Sequence, residues 1–203
     1  LTDLHLYDFR NRMYQPELGR FLQPDPKQFA AGDYNLYRYC HNDPINKSDP
    51  AGLVWTPMSE KDRKDYEKAK EHTASSDPAR RLFDRIERSR KEFTLSTNNK
   101  HNDSFDRKHT VNWDPRSAFK TNEGGTQSPA LRLLHEIDHA LTNPVLQSLR
   151  TLFKDRAYDN AEERRVIRGS EARIARDIGE AGRYDHHYYN DTQLYHVAEP
   201  GDR

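Results

Sequence analysis

An α+β fold is predicted: a short strand-rich segment followed by a mainly helical domain with a small sheet. Three observations predict it. Short alternating apolar and polar runs, split by turn residues, occupy the first 53 positions. Cap-plus-proline helix starts recur after residue 53. Between those helices lie two brief alternating runs, Glu92–Thr97 and Lys108–Trp113, which read as strands.

Taken in chain order, Leu4–Phe9 and Arg20–Leu22 alternate, and the turn-prone stretch Gln15–Gly19 separates them. Tyr34, Tyr37 and Tyr39 follow. Asp-Pro steps at Asp25, Asp43 and Asp49 start turns and break helices. Ser59 to about Glu71 reads as a charged helix. Asp77-Pro78 reads as an N-cap with proline at the first helical position, followed by the apolar stripe Leu82, Phe83 and Ile86. Gly124-Gly125 makes a loop. Ser128-Pro129 opens a helix through about Leu141, and Asn143-Pro144 opens another. Asn160 caps a helix from Ala161 to Arg168, which Gly169-Ser170 interrupts. Ser170 then caps a continuation to about Gly179.

Composition narrows the function classes. There are 33 Lys+Arg against 33 Asp+Glu, so the chain has no general attraction for nucleic acid or anionic membrane. Hydrophobic residues make up only 33%, and the mean hydropathy is −1.17. The core is therefore expected to be small, or completed by something outside this chain. The single cysteine, Cys40, excludes an internal disulfide and allows a cytosolic site of action. No apolar run approaches the ~20 residues of a membrane span. A start at Leu1 without a basic-apolar leader suggests a fragment of something longer.

The chemistry concentrates in Leu131–Leu141, which contains His135-Glu136-Ile137-Asp138-His139. A helix turns ~100° per residue, so His135 and His139 share a face and can aim imidazole nitrogens at one ion. Zinc accepts such donors. Glu136, one residue on, stands where it can take a proton from water activated by that ion. The flanking Leu131, Leu133, Leu134, Ala140 and Leu141 bury the helix, and a buried His-Glu-His face needs a compensating partner.

A third ligand is expected among Glu162, Glu163 and Glu171. Glu163 is in phase with Val166 and Ile167 and is taken first. Glu162 shares a face with Val166 alone, and Glu171 follows Ile167 by four. Glu163 could instead be the capping-box partner of Asn160. Asp138 points elsewhere on its helix. The segment Arg183–Tyr189 offers a donor for a developing oxyanion, with His186 and Tyr188 as the residues expected to act. The plainer reading of that segment is a surface aromatic tail or an adventitious metal patch.

The first 53 residues, with YDFRNRMYQPELGRFLQPDP and then GDYNLYRYCHNDPINKSDPAGL, closely resemble the end of the core domain of Rhs/YD-repeat polymorphic toxins. The resemblance implies a β-sheet shell that encloses a toxin and an autoprotease that cuts after the DPxGL leucine, here between Leu53 and Val54. It places the paired catalytic aspartates at Asp25 and Asp49, which spacing alone reads as turn starts. Two carboxylates sharing a site keep one proton between them, so one serves as acid and the other activates water. Trp113 to Tyr189, with VNWDP, SPALRLLHEIDHAL and EERRVIRGSEARIARDIGEAGRYDHHY, resembles the zinc metallopeptidases that include the NleD-like secreted effectors. That resemblance implies a zincin fold and a downstream glutamate ligand.

Together these give domains at 1–53 and 54–203. The expected function is a toxin delivered by a secretion apparatus such as type VI. It would be freed from its shell after Leu53 and would cut a protein in the target-cell cytoplasm with Zn2+ as cofactor. The partners implied are that substrate, a cognate immunity protein and the rest of the shell; neither nucleic acid nor membrane is expected. Lys108–Trp113 is a candidate for the edge strand that would pair with a peptide substrate. Alternatives are a zinc amide hydrolase acting on peptidoglycan, a nuclease-type toxin, and a binding module holding metal for folding. The nuclease lacks its basic excess, and a structural metal site needs no Glu136.

Overall fold

The computed structural model describes residues 6–9, 12–25, 34–42, 59–87, 89, 91, 93–98, 103–121, 124–185 and 194–203. Asp49, the Leu53-Val54 bond, His186 and Tyr188 lie outside the described residues. The architecture is α+β, in two compact units. One is drawn from Leu1–Thr56 and Glu87–Arg90, the other from Pro57–Ile86 and Lys91–Arg203.

In the first unit, β1 (Tyr7–Asp8), β2 (Met13–Gln15) and β3 (Arg20–Phe21) form an antiparallel sheet in that order. The β2–β3 turn closes at Gly19, whose φ of 61° is the left-handed region that glycine enters without steric cost. Phe9, Tyr14, Phe21 and Tyr39 pack as a ring cluster with centroids 4.3–5.9 Å apart. Arg12 lies 3.7 Å from the Phe21 ring centroid and pairs with Asp25 at 3.1 Å.

The second unit opens with α1 (Glu60–His72), held by a capping box between Ser59 and Asp62. Next comes α2 (Asp77–Glu87), where the cap differs from expectation. Ser76, not Asp77, supplies it: Ser76 Oγ accepts from the Ala79 N–H at 3.4 Å, and Asp77 is already helical. Leu82, Phe83 and Ile86 are buried, as amphipathic spacing requires.

Strands β4 (Thr94–Thr97), β5 (Ser104–Phe105) and β6 (Thr110–Trp113) form a sheet in the order β4-β6-β5. β4 runs parallel to β6, and β5 runs antiparallel to it. Lys108–Trp113 therefore supplies the middle strand of this sheet. Both its edges are paired, so the expected edge-strand role does not hold. A second small sheet joins β7 (Ser117–Lys120) to β8 (Thr126–Gln127) and β11 (Leu194–His196).

Helix α3 (Pro129–Leu141) is the centre of the unit. Ser128 Oγ caps it by accepting from the Leu131 N–H at 3.3 Å, and every residue from Pro129 to Ala140 is buried. Trp113 Nε1 donates to the Pro129 carbonyl at 2.8 Å, tying β6 to the helix start. Arg132 pairs with Asp103 at 2.6 Å. Burial outweighs that guanidinium and pushes the Asp103 carboxyl up to about 6.

Asn143 caps α4 (Pro144–Leu152), whose apolar residues Val145, Leu146, Leu149 and Leu152 stay exposed, with Phe153 beside them. A short hairpin, β9 (Lys154–Asp155) and β10 (Asp159–Asn160), leads to α5 (Ala161–Val166). A π-helical turn, Ile167–Glu171, then continues into α6 (Ala172–Ile178). Gly169-Ser170 sits inside that turn. Ser170 does not cap a new helix: its hydroxyl donates to Asp138 Oδ2.

Candidate metal centre

His135 and His139 lie one turn apart on α3, as the i, i+4 spacing requires. Their Nε2 atoms approach to 3.1 Å, and Glu163 Oε2 on α5 lies 3.2 Å from each. Donors about 2.0–2.1 Å from one tetrahedral ion are separated by about 3.3 Å, so this triangle has the size of a single coordination face.

The other ring nitrogens explain why the triangle could hold a cation. His135 Nδ1 is 2.6 Å from Glu171 Oε2, and His139 Nδ1 is 3.4 Å from Glu162 Oε1. Carboxylates accept, so each Nδ1 carries the proton. Arg183 also lies 3.2 Å from His135 Nδ1, but two acceptors 2.6 Å apart would repel, so the proton belongs on that nitrogen. Both Nε2 lone pairs then face the Glu163 carboxylate. Three electron-pair donors meet in a largely buried space, and a shared cation could satisfy all of them.

In the metal-free chain the same need appears as shifted protonation. Burial opposes charge on His139, but hydrogen bonds to Glu162 and Glu163 win and raise it to about 10. His135 is raised against burial by Glu163 and Glu171. Burial would lift the three glutamates, yet their partners hold each one low. Hydrogen bonds with His135 and His139 keep Glu163 far below the usual carboxylate range. Arg183 and His135 do the same for Glu171, and His139 and Arg165 bring Glu162 to about 2.

The three candidate glutamates thus separate by role. Glu163 joins the histidines in the one group among the described residues whose donor atoms could hold a metal ion. Glu171 and Glu162 stand behind the rings, as outer carboxylates do behind metal-bound imidazoles. The Asn160 side chain accepts from the Glu163 backbone N–H at 3.1 Å, so capping uses the Glu163 backbone and leaves its carboxylate for the triangle. Asp138, off the histidine face, takes Arg165 at 2.9 Å and the Ser170 hydroxyl, pinning the π turn to α3.

The π turn sets this division. Residues eight apart in an α-helix are about 80° out of phase, and the extra residue of a π turn absorbs about one 100° step. Glu163 and Glu171 therefore face α3 together. Glycine and serine at 169–170 are the only local signal of that turn.

Glu136 is buried on α3, with Oε1 4.0 Å from His135 Nε2. A single water can bridge that separation, which is the reach a general base needs. Arg183, in the segment expected to offer oxyanion donors, is instead committed to Glu171 at 2.8 and 2.9 Å. Sequence reasoning missed the role of Arg183 behind Glu171, and missed Gln127, whose Nε2 donates to Glu171 Oε1 at 3.0 Å. Neither lies at a spacing that ties it to the histidines.

The chain matches no family profile and no solved structure. Over 49 residues it is 39% identical to salivary gland surface protein 1 of Aedes aegypti. That match takes in 24% of this chain and 1% of the insect protein, so the chain spans only about 1% of the length of the relative it matches.

Proposed function

We propose that the second unit is a zinc-dependent metallopeptidase of zincin type, carried behind the closing segment of an Rhs/YD-repeat shell. The observation that carries this reading is the triangle of buried His135 and His139 with part-buried Glu163, 3.1–3.2 Å on a side, with the Glu136 carboxylate 4.0 Å from His135 Nε2. Its two imidazoles and one carboxylate suit zinc and leave a fourth position for water or substrate.

Zinc, when bound there, supplies Lewis acidity that polarises a carbonyl and lowers the pKa of water to about 7. The chain supplies the rest. Glu171 and Glu162 hold the rings with Nε2 inward. Glu136 accepts a proton from the attacking water and returns it to the leaving amine, as general base and then general acid. The walls of α3, α5 and the π turn keep the carboxylates out of bulk water, where their charges act more strongly.

In the proposed setting the chain is a delivered effector that acts on a protein in the target-cell cytoplasm. A cognate immunity protein would protect the producer. The first unit would release the toxin by cutting at Leu53-Val54, with Asp25 and Asp49 as the acid–base pair.

The test compares the wild-type chain with Glu136→Gln for zinc content, thermal stability and new protein termini in cells producing each. Wild type should bind one zinc and generate new termini. Glu136→Gln should keep zinc and stability while cleavage falls ~10²–10⁴-fold. Unchanged cleavage by a zinc-loaded Glu136→Gln would falsify the peptidase reading.

A further inference from the structure

Beyond α6 the chain leaves the helix at Gly179 and crosses back over the start of α3 as the strap Glu180–Arg183. Glu180 Oε2 accepts from the Ser128 N–H at 2.7 Å, and Oε1 lies 2.7 Å from His72 Nε2. The Ala181 N–H donates to Thr126 O at 3.2 Å, and Ala181 O accepts from Gln127 Nε2 at 2.9 Å. A Cβ on Gly125 would stand 2.2 Å from Ala181 Cβ, so this close approach requires glycine.

The strap ends by turning Arg183 inward, and its side chain is only 7% exposed. Nε donates to Glu171 Oε1 at 2.8 Å and an Nη donates to Oε2 at 2.9 Å, a two-pronged pair. That same Oε2 is the atom 2.6 Å from His135 Nδ1.

We propose that Arg183 is a positioning residue for the metal centre. It acts on His135 through Glu171, with its own Nη2 3.2 Å from Nδ1, and so makes the strap part of the site. This inference rests on the zinc reading above. A carboxylate gripped at both oxygens cannot rotate, so Oε2 stays in line with Nδ1–H. The ring is then held in the tautomer whose Nε2 lone pair faces the ion. Released from Arg183, Glu171 keeps the Gln127 bond at Oε1 but loses the donor that fixes Oε2, so Oε2 can swing out of line and the His135 ring can flip or move its proton to Nε2, where it cannot bind metal. Strap docking and metal binding then favour one another.

The test measures zinc affinity of the whole chain by competition with a chromophoric chelator, alongside thermal stability. Arg183→Met should bind zinc ~10–100-fold more weakly, the range for residues behind a ligand. Arg183→Lys keeps the charge without the fork and should recover part of the loss. Combining Arg183→Met with Glu171→Gln should cost no more than the worse single change, because both act through one contact. Zinc should also slow hydrogen exchange at the Ala181 amide in wild type.

A purely structural strap would lower stability and leave zinc affinity unchanged, which overturns the proposal while the zinc site stands. Additive losses in the double variant overturn it as well. Should Arg183→Met fail to fold, Arg183→Lys with and without Glu171→Gln gives the same additivity test. A wild-type chain that binds no zinc removes the site reading itself, and this inference with it.

Discussion

Glu171 Oε2 and His135 Nδ1, 36 residues apart in the chain, meet at 2.6 Å in a fully buried contact. The equivalent pair on the neighbouring histidine, Glu162 Oε1 and His139 Nδ1, is looser at 3.4 Å, and Arg150 and Arg165 share that carboxylate. The two rings are therefore steered by carboxylates of unequal grip, and substitutions behind them should differ in effect.

Replacing the inner glutamate should do more than replacing either outer one. Glu163→Gln should weaken zinc binding by more than ~100-fold, because it removes a charged ligand. Glu171→Gln should fall within the ~10–100-fold range, and Glu162→Gln should sit at its lower end. Chelator competition on the three variants gives the order. A Glu162→Gln loss exceeding that of Glu163→Gln would assign the ligand to the wrong glutamate.

Removing metal should change how stability responds to pH. His139 rises from 6.5 to about 10 in the folded metal-free chain. Its contribution is therefore full below about 6.5 and is lost as pH climbs towards 10. Glu162 drops from 4.5 to about 2, so its contribution is full above about 4.5 and is lost as pH falls through about 2. From this cluster, the metal-free chain should be most stable between about 4.5 and 6.5. Zinc needs unprotonated Nε2 atoms, so the loaded chain should gain stability relative to the metal-free chain as pH rises. Denaturation series with and without zinc give both slopes, and parallel curves above pH 7 contradict this reading.

Removing the extra residue of the π turn should leave Glu171 facing His135. Deleting Gly169 puts Glu171 seven residues after Glu163 in regular helix, about 20° short of two full turns, so the two carboxylates stay on one face. Helical content by circular dichroism should be retained, and zinc affinity should fall less than in Glu171→Gln. A loss as large as that of Glu171→Gln would contradict the assignment of one absorbed residue to the π turn.

Self-cleavage is the prediction for the first unit. In a parent protein carrying the proposed shell, Asp25→Asn or Asp49→Asn should each leave the chain joined across Leu53-Val54. Mass spectrometry of the purified products reads the outcome directly. A double Asn variant that still cuts after Leu53 rejects the paired-carboxylate assignment.

Much of this protein is legible locally, because local rules act within a few residues. Ser59, Ser128, Asn143 and Asn160 each cap the helix that follows them, since a side-chain oxygen beside free backbone N–H groups needs no distant partner. The shared face of His135 and His139 follows from helical pitch alone. Ser76 displaced Asp77 as a cap by one residue, the usual scale of a boundary error.

Tertiary structure decided the matters that depend on distant partners. β6 reads as an edge candidate until β5 pairs with its free side, and no residue within β6 announces that pairing. Glu162, Glu163 and Glu171 are alike in chemistry and close in sequence. Only the π turn, pinned by Asp138 through Ser170 and Arg165, decides which faces the two Nε2 atoms and which stands behind a ring. Arg183 reaches Glu171 because Gly125 lets the strap come close, a long-range fit that spacing cannot express. Helix pitch and capping are set by neighbouring backbone atoms and can be read in sequence order. Side-chain clusters and strand edges are set by packing between segments far apart in the chain, and those appear only once the chain has folded.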